Sequence, residues 1–394
     1  MALRLLARSK VSNARLGLLT TKDGVLETPA FVAVGTNAAL KSVDLRDVPD
    51  IDALFVNAYH LMLHPGVDVI HRAGGVRNFM ATEKVVMSDS GGFQVFSLKY
   101  GTVHSELSPS LKMRSGRKIR KDGVSSEVKV RESGVTFRSY RDGSHLHLSP
   151  EVSVSAQKKI NSSIIMPLDE LPPYHTTPDV LRTSLERTHR WMARSLDTHL
   201  GAPQGQLCYG IVHGGSVPAL RKESVDFCVS HGFDGFAIGG ALGKDADELS
   251  SIVRFVMDDA ENGEGCGLRD VAVRTGRPVH ALGIADPWNI RRLVRFGVDT
   301  FDGCFVTKIS RHGAMLTGDP RNPTRLSVKS GRWKDTHERL DCECSTCTQY
   351  TLSYLHHLIK AREPLADALL SIHNLTFVGL VMKTIREDIR QGEL

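Results

Sequence analysis

The chain has 394 residues, 41% of them hydrophobic and 24% charged, with a formal net charge of +6. That balance supports a large soluble core and excludes a disordered or fibrous chain. The mild excess of base suits an anionic partner without identifying one. Seven cysteines are too few and too clustered for a disulfide scaffold, and they point to a reducing compartment. No run of eighteen apolar residues occurs, so no membrane span is expected.

The start, MALRLLARSKVSNARLGLL, lacks acids and carries arginine. It reads as a first strand or hairpin in a cytoplasmic protein, with a mitochondrial presequence as the alternative. Short apolar runs then recur, each ending in a polar or glycine-rich turn. They are AFVAVGT (30–36), ALFVNAY (53–59), VVMSDSGG (85–92), IIMPLDE (164–170), LCYGIVHGG (207–215), FDGFAIGG (233–240), VHALGIAD (279–286) and DTFDGCF (299–305). Helical stretches lie between several of them. One opens at Ser149-Pro150-Glu151 and another at Thr177-Pro178-Asp179, each with a hydroxyl N-cap and proline at the first helical position. Eight buried-strand signals alternating with helices predict an α/β fold, a parallel (β/α)8 TIM barrel.

Polar residues close these strands: Asn57, Asp89, Asp169, His213, Gly239-Gly240 and Asp302. In such barrels the C-terminal strand ends carry the active site, so these scattered motifs are expected to converge on one pocket. Residues 108–131, rich in Lys, Arg and Ser, read as a surface loop or β-ribbon inserted after the third strand. Their charge suits either a solvated face or phosphate contacts. The predicted barrel core spans 1–317 and includes that insertion. Residues 318–394 form a metal-binding subdomain with closing C-terminal helices.

Within that subdomain Cys342-Glu-Cys344-Ser-Thr-Cys347 is followed, after twenty-five residues, by His373. Three thiolates and one imidazole complete the tetrahedral set of a structural zinc site. Four protein ligands leave no open position for a reacting water, which argues for a staple and not a metal catalyst. TLSYLHHLIKAREPLADALLSIHN is predicted helical and returns His373 to the cysteines. NLTFVGLVMKTIREDIRQGEL reads as a final amphipathic helix.

With these residues in view, the chain resembles the tRNA-guanine transglycosylases, also called queuine tRNA-ribosyltransferases. Asp89-Ser-Gly-Gly-Phe-Gln94 is the most specific motif. FDGFAIGG, LGIADP, the FD-x-x-x-x-T-x-x-x-R-x-G run at 301–313 and the Cys-x-Cys-x-x-Cys…His cluster follow in family order. The basic insert and the short glycine loop look most like the chlamydial branch. The resemblance implies exchange of guanine 34, the wobble base of GUN-anticodon tRNAs, for a 7-deazaguanine base, in queuosine modification.

By the same resemblance, Asp302 is the nucleophile and Asp89 the general acid/base. Two displacements at C1′ retain the sugar configuration, as in a retaining glycosidase. Asp169 matches the acceptor for the base N1–H and 2-amino group. His213, Gly239, Gly240, Phe93, Leu282, Ser90, Gly91 and Gly92 match the rest of the base pocket, with Asn57 near the ribose. Gly283, Asp286, Thr307, Lys308 and Arg311 match the grip on the anticodon stem-loop. One structural zinc per chain and a dimer, homomeric or heteromeric, are also implied.

Four features depart from the family pattern. His213 stands where Gln is common; an imidazole N–H still suits the base O6, with a charge that depends on pH. GGALGK is a shortened loop with Lys244 in place of Glu, which favours queuine over preQ1 as the incoming base. Gly303 replaces Cys after the nucleophile. Val306 and Lys308 replace Pro and Arg, and Lys cannot make the bidentate fork. The alternative reading is a non-catalytic RNA-binding subunit of a heteromeric transglycosylase. Asp89, Asp169 and Asp302, all present, argue for the enzyme.

Overall fold

The computed structural model describes residues 2–100, 128–258 and 265–394. Eight short strands form a closed barrel: β1 (Ala30–Val34), β2 (Ala53–Val56), β3 (Val85–Ser88), β4 (Ile164–Ile165), β5 (Leu207–Val212), β6 (Gly235–Ile238), β7 (Val279–Ala281) and β8 (Thr300–Gly303). Each falls inside one of the eight apolar runs, and they follow one another around the barrel in chain order. The pairings are parallel: Val32 opposite Ala53, Tyr209 opposite Gly235, and His280 opposite Thr300. Nearly every barrel-strand residue is buried, as expected where helices cover the outside of a parallel sheet.

The chain gathers into two compact units. One comprises Met1–Val56, Met80–Val86 and Pro278–Leu394. Its N-terminal segment is the expected hairpin: Leu3–Arg8 pairs with Arg15–Thr21, and Gly24–Thr28 adds a third antiparallel strand. Arg15, 2% exposed, forms a bidentate ion pair with the fully buried Asp299, which also accepts from the Val279 N–H. Removing either partner would strand a buried charge, so the pair pins the hairpin to the start of β8.

The C-terminal helix departs from expectation. It is continuous from Pro364 to Gln391, with His373 near its middle, and does not divide at Asn374. The break falls earlier, at Arg362, which adopts a left-handed conformation between the helix Leu352–Ala361 and Pro364. By length and composition alone this helix could cross a membrane, but two-thirds of its most apolar window is buried within the protein. Two of its buried polar side chains are bonded there, while the Ser371 hydroxyl has no partner among the described residues. Asn374 bonds Leu316 N–H, Ala314 O and Ser310, and Asp388 takes Arg291 and Arg321.

The second unit comprises Asn57–Phe79 and Met87–Arg277. The helix Pro150–Ile160 is capped by Ser149, whose hydroxyl accepts from Val152 N–H. The helix Pro178–Leu200 starts where predicted, although Thr177 makes no side-chain cap bond. An antiparallel sheet of Lys129–Arg131, Gly134–Arg138 and His145–Leu148 packs Val135, Phe137 and Leu148 against Tyr59, Phe96, Leu168 and Trp191. Of the basic insert at 108–131, only its last four residues lie among the described residues.

Candidate active site

Asp89 follows β3, and its carboxylate is surrounded by donors. Oδ2 accepts from Asn57 Nδ2, and Oδ1 accepts from Ala58 N–H at 2.7 Å and Gly91 N–H at 3.2 Å. Loss of hydration pushes its carboxyl up to about 6, and the bonds from Asn57, Ala58, Gln94 and Gly91 do not overcome it. The turn is held from behind, where Ser153 Oγ donates to the Ser90 carbonyl at 2.7 Å. Ser90 Oγ in turn meets Asp169 Oδ1 at 3.2 Å. A Cβ at Gly92 would lie 2.7 Å from the Asp169 carbonyl oxygen, so only glycine lets these two loops approach. Phe93 is 52% exposed, an open aromatic face and not a core ring.

Asp169, beyond β4, and His213, at the end of β5, meet directly: His213 Nε2 lies 2.9 Å from Asp169 Oδ2. The imidazole nitrogen expected to serve the base O6 is thus engaged with the carboxylate here. His213 Nδ1 faces Gly240, where a Cβ would come within 3.0 Å of it. Beneath them lies Arg221, 1% exposed and invisible to motif reasoning. Its guanidinium donates to the carbonyls of Val212, Gly215, Gly239 and Ala241. One side chain therefore ties the loop after β5 to the loop after β6. Burial pushes its pKa down to about 9, leaving it charged at neutral pH. A cleft lined by Pro172, Tyr174, Leu181, His213, Gly214 and Gly240 opens beside this pair. Tyr174 donates to Glu248, which also accepts from Lys244 N–H, so the shortened glycine loop is anchored to the following helix.

In the other unit Asp302, on β8, is 7% exposed. Its Oδ1 takes Gly283 N–H at 2.8 Å and lies 3.1 Å from His280 Nε2. His280 is a lone histidine on an apolar strand, a setting that sequence alone assigns to the core. Leu282 is half-buried, and Gly283 and Lys308 are exposed. Asp286 caps the helix Pro287–Val294, accepting from Asn289 N–H at 2.9 Å, so its carboxylate is already engaged. Thr307 is buried, while Lys308 and Arg311 sit in the last turn of the helix Phe305–Arg311. Gly303 is required by packing: a Cβ there would meet Ala285 Cβ at 2.6 Å.

Cys342, Cys344, Cys347 and His373 come together with all ligand atoms within 4.8 Å of one another. His373 Nδ1 lies 3.2 Å from Cys347 Sγ and 3.5 Å from Cys344 Sγ. Zinc bonds of about 2.0–2.3 Å at tetrahedral angles would space such atoms roughly 3.5–3.8 Å apart. His373 Nε2 donates to the Leu316 carbonyl at 2.7 Å, which leaves the Nδ1 lone pair facing the sulfurs. The cluster can hold a metal ion, and its donor set is consistent with structural zinc.

Residues 10–394 match the family model described as queuine tRNA-ribosyltransferase. A queuine tRNA-ribosyltransferase of Protochlamydia amoebophila is 42% identical over 98% of this chain and 95% of its own length. That of Chlamydia pneumoniae is 42% identical over the full length of both. That of Chlamydia trachomatis serovar L2 is 42% identical over 99% of each. A parallel barrel with carboxylates at its strand ends, a Cys3His cluster and a match along nearly the whole chain lead to one assignment. The chain belongs to the queuine tRNA-ribosyltransferase family, the tRNA-guanine transglycosylases, and is a pentosyltransferase.

Proposed function

We propose that this chain exchanges guanine 34 of GUN-anticodon tRNAs for a 7-deazaguanine base, queuine in preference to preQ1, through a covalent Asp302–ribosyl intermediate. In the first displacement an Asp302 oxygen attacks C1′ and the C1′–N9 bond breaks. Asp89 gives its proton to the departing guanine. In the second displacement ionised Asp89 takes the N9 proton of the incoming base. That nitrogen attacks C1′, and the ester bond to Asp302 breaks. Atoms and charge balance, and the sugar configuration is retained. Asp169 accepts from the base N1–H and 2-amino group, with Gly239 and Gly240 close to the ring and Phe93 and Leu282 against its faces. Lys308 and Arg311 grip the anticodon loop, and zinc staples the C-terminal subdomain. The enzyme acts as a dimer.

The observation that carries this reading is the contrast between the two carboxylates. Asp89 is pushed up to about 6 and can trade a proton near neutrality. Asp302 is steadied through one oxygen, as a nucleophile requires. Preference for queuine draws support from the cleft beside His213, whose lining among the described residues includes no carboxylate to select a small cationic substituent.

The test is incorporation of labelled guanine into a GUN-anticodon tRNA by the purified chain, with queuine and preQ1 as competitors. Incorporation with queuine the stronger competitor supports the proposal. Intact tRNA binding without incorporation would instead favour a subunit that needs a partner. The pH dependence adds a second check. With Asp89 near 6, about a tenth of it is protonated at pH 7. Single-turnover guanine release is therefore expected to slow as pH rises above about 6, and base incorporation to accelerate through the same range. Asp89→Asn removes both inflections. A wild-type profile that is flat between pH 5 and about 8 would contradict the role assigned to Asp89.

A further inference from the structure

We infer that His280 is the positioning residue of Asp302, holding the carboxylate for attack and stabilising it as the leaving group of the second displacement. The inference rests on the reading of Asp302 as nucleophile. His280 is fully buried on β7, with its ring stacked on Phe55 at 6.1 Å and 14° between planes. Nδ1 lies 2.8 Å from Thr300 Oγ1, and Nε2 lies 3.1 Å from Asp302 Oδ1. An ionised carboxylate only accepts, so Nε2 carries the proton in that contact. In the neutral ring Nδ1 then accepts the Thr300 hydroxyl proton. Asp302 thus sets the tautomer and Thr300 supplies the matching donor to Nδ1; because Thr300 sits opposite His280 in the strand register, the backbone itself holds that pair together.

Both donors to Asp302, His280 Nε2–H and Gly283 N–H, fall on the same oxygen, Oδ1. Oδ2 has no hydrogen-bond donor among the described residues and is the oxygen that bonds to C1′. In the ester, Oδ1 is a carbonyl oxygen with little charge. When the ester breaks, negative charge returns to Oδ1, where two preset donors meet it. Hydrogen bonds to a charged acceptor are stronger than those to a neutral one, so His280 favours the second displacement over the first. Its ring cannot swing away, because Phe55 and Thr300 hold it from the other sides.

The experiment compares wild type, His280→Phe, His280→Gln and Asp302→Asn as full-length chains with a GUN-anticodon tRNA. It measures kcat, KM for tRNA, melting temperature and the fraction of chain carrying covalent RNA at steady state. Phenylalanine keeps the stack on Phe55 and deletes the donor. His280→Phe is expected to lower kcat by about 10- to 100-fold and KM for tRNA along with it, leaving kcat/KM for tRNA within about twofold of wild type. The covalent fraction should rise, because breakdown is the slowed step. Glutamine restores an N–H and should recover most of the rate.

A purely structural role would lower the melting temperature without raising the covalent fraction, and that outcome overturns the inference, as does an unchanged kcat. Asp302→Asn separates the two readings. If it still forms the covalent species, the nucleophile assignment fails and His280 falls with it. If it forms none while His280→Phe turns over at the wild-type rate, only the His280 inference fails. Should His280→Phe not fold, Thr300→Val provides the check. Loss of the hydroxyl that bonds Nδ1 and fixes the ring is expected to lower kcat several-fold, and an unchanged kcat overturns the proposal.

Discussion

Replacing Asp302 with asparagine is expected to abolish base exchange, by at least about four orders of magnitude, while tRNA affinity stays within a few-fold of wild type. The substitution is nearly isosteric, and an amide oxygen at Oδ1 can keep both Gly283 N–H and His280 Nε2–H. Folding should therefore be preserved. What is lost is a carboxylate oxygen able to bond to C1′. The measurement is a denaturing gel of chain incubated with labelled tRNA. Wild type should carry RNA through denaturation, and Asp302→Asn should not. Because Asp302 contacts no RNA phosphate in the proposed scheme, filter binding should separate catalysis from affinity. A variant that retained the slow-migrating species would remove Asp302 from the mechanism.

Removing the metal is the second large perturbation, and it should act on stability before activity. Cys344 and Cys347 belong to the same buried cluster as Met315, Val328, Trp333, Leu352, Leu355 and Leu370. Without an ion, thiolates and an imidazole about 3.2–3.5 Å apart repel or must be protonated inside that cluster. Apparent binding energies of structural zinc reach about 10–16 kcal/mol in small peptides, so a bound ion is expected to dominate the local stability of this cluster. Chelation, or Cys347→Ser, is therefore expected to melt the region around residues 318–362. Early proteolytic cleavage there and a lowered melting temperature should report it. Loss of exchange activity should follow, restored by zinc if the barrel survives. An unchanged melting temperature in chain freed of metal, with metal content measured, would mean that packing alone holds this module.

In the proposed scheme His213 bears on substrate choice. Its contact with Asp169 places the position where this chain departs from its family directly on the acceptor assigned to the base edge. The contact is short and largely buried, so in that scheme a base that bonds Asp169 also meets the His213 ring. Arg221 acts at one remove. It fixes the backbone of both glycine loops, and among the described residues four backbone carbonyls accept from its guanidinium.

Much of this protein was legible in its chain because the relevant signals are local. An apolar run ended by a turn marks a buried parallel strand wherever it occurs, and all eight runs became barrel strands. Strand ends then placed Asp89, Asp169, His213 and Asp302 without knowledge of any contact. The Cys-x-Cys-x-x-Cys spacing likewise carries its chemistry in six residues. Helix continuity was less legible: a left-handed Arg362, and not a proline or glycine, ended one helix, and no composition rule marks that arginine.

Tertiary structure alone decided the partners and the upward shift of Asp89. His280 and Asp302 are 22 residues apart, Ser90 and Asp169 are 79 apart, and His213 and Asp169 are 44 apart. No periodicity links such pairs; a closed sheet does. The upward shift of Asp89 arises from water excluded by residues distant in sequence, and the role of Arg221 from four carbonyls on two loops. Sequence determines which chemical groups stand at the strand ends. Desolvation and hydrogen bonding are properties of the packed whole, and they determine which of those groups is pushed toward its neutral form, which is steadied and which is already occupied.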